Sequence, residues 1–226
     1  MRLVKTIFLL VAAFLPLPAL AQQASMPPLA EDIRAQLPAV GRLNKAGFKT
    51  LGSCSGTLIR PDVVLTAGHC AGRLDANSQR MFVAGWDRGE YTAARRVVRQ
   101  VRHPVYRVNG QHDPRFDVGL AFLESPITEI APIPLAADDQ GQVTLAGYHR
   151  YIPHLLSGRT DCPIERREDK VMWIGCPVVS GNSGGPVLEP DGTGGWEVVG
   201  VVSSQAKLSA IATRLPQWLF DELAQH

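Results

Sequence analysis

From Ala39 to Arg214 the chain is a succession of short apolar runs, each closed by Gly, Pro, Asn or Asp. AVGRL, GTLI, VVLTA, MFVAGW, VGLAFL, ITEIAPIPL, VTLAGY, MWIGCPVV, PVLEP and WEVVGVVSS are rich in Val and Ile and too short for helices. This pattern constrains the fold more than any other feature. It predicts an all-β chain of many strands, in a barrel or sandwich. PDGTGG (190–195) reads as the hairpin turn between PVLE and WEVVGVVSS. A helical signature comes only at the end, in LPQWLFDELAQH (215–226). There Pro216 suits a first turn, and Leu215, Trp218, Leu219 and Leu223 make one apolar stripe, so a docked C-terminal helix is expected. A chain of 226 residues can hold one sizeable core or two small β domains packed together.

The N-terminus has another texture. MRLVKTIFLLVAAFLPLPALAQQ places Arg2 and Lys5 before the apolar run Ile7–Leu15, then Pro16, Pro18 and Ala19-Leu20-Ala21. Charged, apolar and small-residue regions in that order predict a signal peptide over residues 1–21, cut after Ala21. The apolar run is far short of the ~20 residues that span a bilayer. No Cys follows the cut, which argues against a lipid anchor. The expectation is export, to the periplasm or the cell exterior, with no stable membrane anchor after cleavage. Residues 22–38 are polar and proline-containing and read as a linker, a short pro-segment or a flexible arm.

The full chain has 23 Lys and Arg against 21 Asp and Glu, and loss of Arg2 and Lys5 evens the balance. Nothing in that charge calls for nucleic acid or a membrane as partner. Arg95, Arg96, Arg99, Arg102 and Arg107 crowd ARRVVRQVRHPVYR (94–107). They read as the solvated face of a strand, with a docking patch as the alternative. Cys54, Cys70, Cys162 and Cys176 are an even set in an exported chain, which favours two disulfides. Of the three possible pairings the sequence-near one, 54–70 and 162–176, is expected. A zinc site is the competing use; the chain has no C-x-x-C pair to favour it, and no metal is expected.

GNSGGPV (181–187) puts one serine among three glycines, the residues that lose most freedom on folding. It is an ordinary turn or a serine presented for chemistry. A reactive serine needs a base, an acid to orient the base, and donors for an oxyanion. Among the six histidines, His69 in VVLTAGHC (63–70) ends an apolar strand next to Cys70, whose disulfide would fix the imidazole. His226 is at the chain end, His103 precedes Pro104, and His149 and His154 read as loop residues. A histidine that merely ends a strand is the plain alternative for His69. Asp117 precedes VGLAFL at the start of a buried strand, where a carboxylate needs a partner. Its plain alternative is a turn cap, and Asp113 reads as a solvated loop residue. The backbone N–H groups of Gly181 and Ser183 can be aimed at one point as an oxyanion hole.

Together CSGTLIRPDVVLTAGHC (54–70), DVGLAFL (117–123) and GNSGGPV (181–187), in the order His, Asp, Ser, resemble the chymotrypsin/trypsin-type serine proteases. The resemblance runs over about residues 39–226. It implies two antiparallel six-stranded β-barrels with the site between them: barrel one about 39–129, barrel two about 130–214, and the helix about 215–226. It implies His69 as base, Asp117 as its orienting partner, Ser183 as nucleophile, acyl transfer on a peptide or protein substrate, and no cofactor. It also matches the 54–70 bridge to the family's disulfide beside the histidine. A non-catalytic binding protein on the same fold is the alternative. GNSGG also fits G-x-S-x-G, but an α/β-hydrolase has its histidine after the serine, and here His69 comes first.

Three departures stand out. Asn182 replaces the Asp that pairs with a new N-terminal ammonium in the trypsin branch, as in glutamyl endopeptidases. AVGRL (39–43) is the nearest match to the family's activated start. The expectation is therefore an oxyanion site that forms without that ion pair. The specificity pocket, by resemblance, is walled by Pro177–Ser180, including Val178, by Ser203, Ser204 and Gln205 of VVSSQ, and by Ala210–Ala212. None is charged, which points to a small or medium uncharged residue before the scissile bond.

Overall fold

A computed structural model describes residues 26–50, 52–72, 74, 79–108 and 110–226. The expected signal peptide (1–21) and residues 22–25 lie outside them. In chain order the elements are α1 (Glu31–Gln36), β1 (Val40–Lys45), β2 (Cys54–Arg60), β3 (Val63–Thr66), β4 (Arg80–Ala84) and β5 (Ala93–Arg102). Then come β6 (Arg107–Val108), β7 (Gln111–His112), β8 (Gly119–Leu123), β9 (Gln142–His149), β10 (Ile152–Glu168) and β11 (Val171–Ile174). The chain ends with β12 (Pro186–Pro190), β13 (Trp196–Ala206), β14 (Ser209–Arg214) and α2 (Gln217–Ala224).

Two closed six-stranded antiparallel barrels result, in the orders β1-β2-β3-β8-β5-β4 and β10-β11-β14-β13-β12-β9. Closure leaves neither barrel an open sheet edge, and β6 and β7 pair in a separate two-stranded sheet. The all-β expectation with a C-terminal helix holds. Val63, Val64, Leu65, Leu120 and Leu58 are buried on strands of the first barrel, and Leu145, Met172, Ile174, Val187 and Val202 on those of the second. Each such side chain contributes roughly 1.5–3 kcal/mol when fully buried. Both disulfides take the sequence-near pairing: Cys54–Cys70 joins β2 to the turn after β3, and Cys162–Cys176 ties the β10–β11 hairpin. Leu219 and Leu223 of α2 are buried, and the Leu223 carbonyl accepts from Arg60 of barrel one, so the last helix returns to the first barrel.

Some local expectations are corrected. ITEIAPIPL (127–135) forms no strand, since Pro132 and Pro134 have no N–H to give a ladder. It runs as an extended connector that buries Ile127, Ile130 and Ile133. The segment before β1 is not a loose arm over its described part. Met26, Leu29 and Leu37 are buried, and Leu29 N and Gly158 N bond across to the Leu156 and Pro27 carbonyls. Val40–Leu43 of AVGRL lie in β1, which pairs with β2 on one side and β4 on the other. His149 ends β9, buried, with Nε2 on the Met26 carbonyl. The crowded arginines of β5 are matched rather than free: Arg95 meets Glu129, Arg96 meets Glu124 and Arg99 meets Glu222.

Candidate active site

Strand β2 carries one of the junctions between the barrels. Ser55 of β2 is wholly buried, and its hydroxyl donates to the Gly181 carbonyl (2.9 Å) and accepts from Tyr148 N (2.8 Å). Its backbone N–H donates to the carbonyl of Ser183 (2.8 Å). The candidate nucleophile is therefore bonded through its own peptide to the strand whose first residue, Cys54, is bridged to Cys70. Cys70 directly follows His69. Serine and histidine, from opposite barrels, are thus held on one frame and line one open cavity of about 560 Å³ with Cys54, Cys70 and Gly181.

The loop around Ser183 explains its glycines. Gly181 and Gly184 both have positive φ (107° and 81°), which L side chains rarely adopt. Asn182 is fully buried: its Oδ1 accepts from Val179 N (2.9 Å) and its Nδ2 reaches the Tyr148 carbonyl (3.4 Å). Its amide closes the turn using only groups of its own barrel. The backbone N–H groups of Asn182, Gly184 and Gly185 are all spent within the fold, whereas those of Gly181 and Ser183 have no partner among the described residues. Two free amides beside a serine form a suitable oxyanion cradle.

Asp117 lies at the base of the cleft, 0% exposed, at the end of a 3₁₀ turn (Pro114–Phe116) that leads into β8. Its Oδ1 accepts the His69 backbone N–H (2.8 Å), and its Oδ2 faces His69 Nδ1 (2.8 Å) and accepts from Ser203 Oγ (2.7 Å). With Nδ1–H given to the carboxylate, His69 keeps Nε2 as an acceptor, and 34% of its side chain remains open to the cleft. Burial pushes the Asp117 carboxyl up. The bonds from His112, His69 and Ser203, with the attraction of His69, outweigh that and hold it well below the usual carboxylate range. The Ser183 hydroxyl donates to the Ser203 carbonyl at 3.5 Å rather than to His69. Such contacts are often long without substrate.

His112, in QHDPRF without a motif around it, adds a contact that sequence reasoning missed. Its Nε2 stands 2.7 Å from the same Oδ2, and its ring is 5.3 Å from that of His69. Only the fold brings it there; the nearest signal was another histidine five residues before Asp117. These separations are those of N–H···O hydrogen bonds. The other local grouping, His69 with Cys54 and Cys70, has its sulfurs in a disulfide. Asp113 is corrected too: it is 9% exposed and held by Arg115 (2.7 Å). Of the expected pocket residues, Val178 packs into the second barrel and Ser203 turns its hydroxyl onto Asp117. Ser204 is half-buried opposite Ile211, and Gln205 is exposed, bonding the Lys207 carbonyl of its own hairpin (2.7 Å).

Residues 54–201, more than half of the chain, match the family described as Trypsin-like peptidase domain. The chain is also 24% identical over 230 residues to the serine proteinase stubble of Drosophila melanogaster. That match covers 81% of this chain and 29% of the relative, so the chain spans less than a third of the relative's length.

Proposed function

The chain belongs to the trypsin-like peptidase family, and from that premise we propose an exported serine endopeptidase in which His69, Asp117 and Ser183 act as the triad. The observation that carries the proposal is the Asp117 carboxylate. It is fully buried, and it takes both the backbone N–H and the ring Nδ1 of His69. This fixes the tautomer whose Nε2 can accept the serine proton. Ser183 Oγ then attacks a peptide carbonyl, and the Gly181 and Ser183 amides receive the developing oxyanion. His69 returns its proton to the leaving amine, and water resolves the acyl-enzyme by the same route. The four donors on Asp117 give it no reason to take up a proton itself. The two disulfides suit an oxidising compartment. Among the described residues no helix is long and apolar enough to cross a membrane.

The closed amide ring of Asn182 supports an oxyanion turn that needs no new N-terminal ammonium. The pocket side is short: β13 and β14 turn directly through Lys207, with Gln205 paired to Ala210 and Ala206 to Ser209. No carboxylate stands among Pro177–Ser180, Ser203–Gln205 or Ala210–Ala212 to bind a cationic side chain. Cleavage of a mixed peptide library by the purified mature protein tests both points. Alanine, serine or valine is expected to be enriched before the scissile bond by about tenfold over arginine and lysine, a difference of about 1.4 kcal/mol. Preferential cleavage after arginine or lysine would contradict the pocket reading. Failure to cut any peptide would leave the binding-protein alternative.

A further inference from the structure

The acid of the triad has an unusual load: a second imidazole on the oxygen that serves the first. We infer that His112 is a positioning residue for catalysis, holding Asp117 Oδ2 together with His69, and that the enzyme runs at full rate only while the His112 ring is neutral. This rests on the peptidase reading above.

The geometry leads directly to that conclusion. Asp117 is fully buried, so its oxygens must be filled by protein donors. Oδ2 has His69 Nδ1 at 2.8 Å, Ser203 Oγ at 2.7 Å and His112 Nε2 at 2.7 Å. His112 Nε2 can only be there as a donor, so a neutral ring serves by fixing the carboxylate without adding charge. A protonated ring makes the same bond and also brings a full positive charge. During turnover His69 becomes an imidazolium, and Asp117 is the group that stabilises it. With His112 already charged, two cations whose rings are 5.3 Å apart share one carboxylate, and the transition state loses part of that stabilisation.

The groups around His112 come from several elements. Asp117 and Asp113 favour its charged form, although Asp113 is itself tied to Arg115. Arg107 of β6 opposes it. The Tyr106 ring lies 6.1 Å away, and Ser203 Oγ of β13 lies 3.4 Å from Nε2. The balance lifts the imidazole above its ordinary value: the bond to Asp117 is the largest cause, burial opposes it, and the Asp117 and Asp113 charges add to it. A third of the side chain (33%) is open to solvent, so protons can exchange. Stability runs the other way from activity. A raised imidazole value adds folding stability that is full below the ordinary value and lost as pH rises through the raised one.

The test is the pH profile of kcat/KM from pH 5 to 9 for the wild type, His112→Gln and His112→Ala. Gln can give Asp117 a neutral N–H and can never charge. The acid limb of the wild type is expected to fall more steeply than one proton allows, each further proton adding up to about tenfold per pH unit. His112→Gln is expected to show a one-proton limb shifted to lower pH, and His112→Ala a kcat loss of about tenfold on the alkaline plateau, narrowing towards acid pH. The melting-temperature advantage of wild type over His112→Gln should be larger at pH 5.5 than at pH 8.5. Superimposable profiles for wild type and His112→Gln would overturn the inference. If no peptide is cleaved, the peptidase reading fails by itself. His112 is then judged by ¹⁵N imidazole shifts in Ser183→Ala. Coupled two-step titration that becomes single-step in His112→Gln supports the shared carboxylate, and independent titrations refute it.

Discussion

Asp117→Asn is expected to lower kcat/KM by about 10⁴-fold in a protein that still folds. The carboxylate accepts four donors: His69 N on one oxygen, with His69 Nδ1, Ser203 Oγ and His112 Nε2 on the other. Asn has one acceptor oxygen and an NH₂ group. If its oxygen stays with the His69 amide, its NH₂ confronts three donors. His69 can then be satisfied only by turning Nδ1 into an acceptor, which moves the proton to Nε2 and disables it as a base. If the side chain flips, the backbone N–H of His69 is left buried and unpaired. Either arrangement costs about 1–3 kcal/mol in stability for the unsatisfied donors. Thermal melts alongside the assay separate that modest loss from the large kinetic one. Activity within tenfold of wild type would contradict the assigned role of Asp117.

Gly184→Ala is the second large effect, and it acts on folding as well as on the site. Gly184 sits at φ 81°, a region that costs an L residue about 1–2 kcal/mol. Its N–H bonds the Val202 carbonyl at 2.8 Å, which holds it deep between the barrels. A methyl group there would fall inside the van der Waals envelope of Thr66 Oγ1 and the Ser55 carbonyl, the two ends of a 2.8 Å hydrogen bond. The backbone of β2 cannot retreat without losing the bond from Ser55 N to Ser183 O. Strain and overpacking together amount to about 2–5 kcal/mol, a large part of a typical domain's 5–15 kcal/mol. Urea unfolding should show the loss as a lower midpoint. Any folded remainder should turn over at least about 10²-fold more slowly, because Ser183 is displaced from the frame it shares with His69. Unchanged stability would contradict the packing described around this glycine.

The barrels were legible in the sequence wherever apolar runs were short and turn-bounded, as in VVLTA for β3 and GLAFL for β8. They were illegible where tertiary pairing overrode the pattern. β10 runs from Ile152 to Glu168 through SGRTDCPIERRE, a stretch with no apolar alternation; it is a strand because β9 and β11 supply its partners. ITEIAPIPL has the composition of a strand, but its prolines deny it the ladder. At the site, His69, Asp117 and Ser183 stood out because they lie in motifs with local signatures: a strand end beside a cysteine, the head of a buried strand, and a glycine-framed turn. His112 and the Ser203 hydroxyl had no such mark. Their importance comes from a carboxylate that only the folded chain brings to them. The docking of Met26, Leu29 and Leu37 was hidden for the same reason, since isolated apolar residues in a proline-containing segment have no period to read.

The central claim is that Ser183 is an activated nucleophile beside a formed oxyanion site. A fluorophosphonate offers the direct measurement. The purified protein, intact from residue 26 onward and with both disulfides formed, would be treated with the reagent and the adduct located by mass spectrometry. The expected result is one adduct, on Ser183, absent in Ser183→Ala and formed without any cut between Pro38 and Ala39. A folded, disulfide-bonded protein that stays unlabelled, or that labels only after such a cut, would contradict the account.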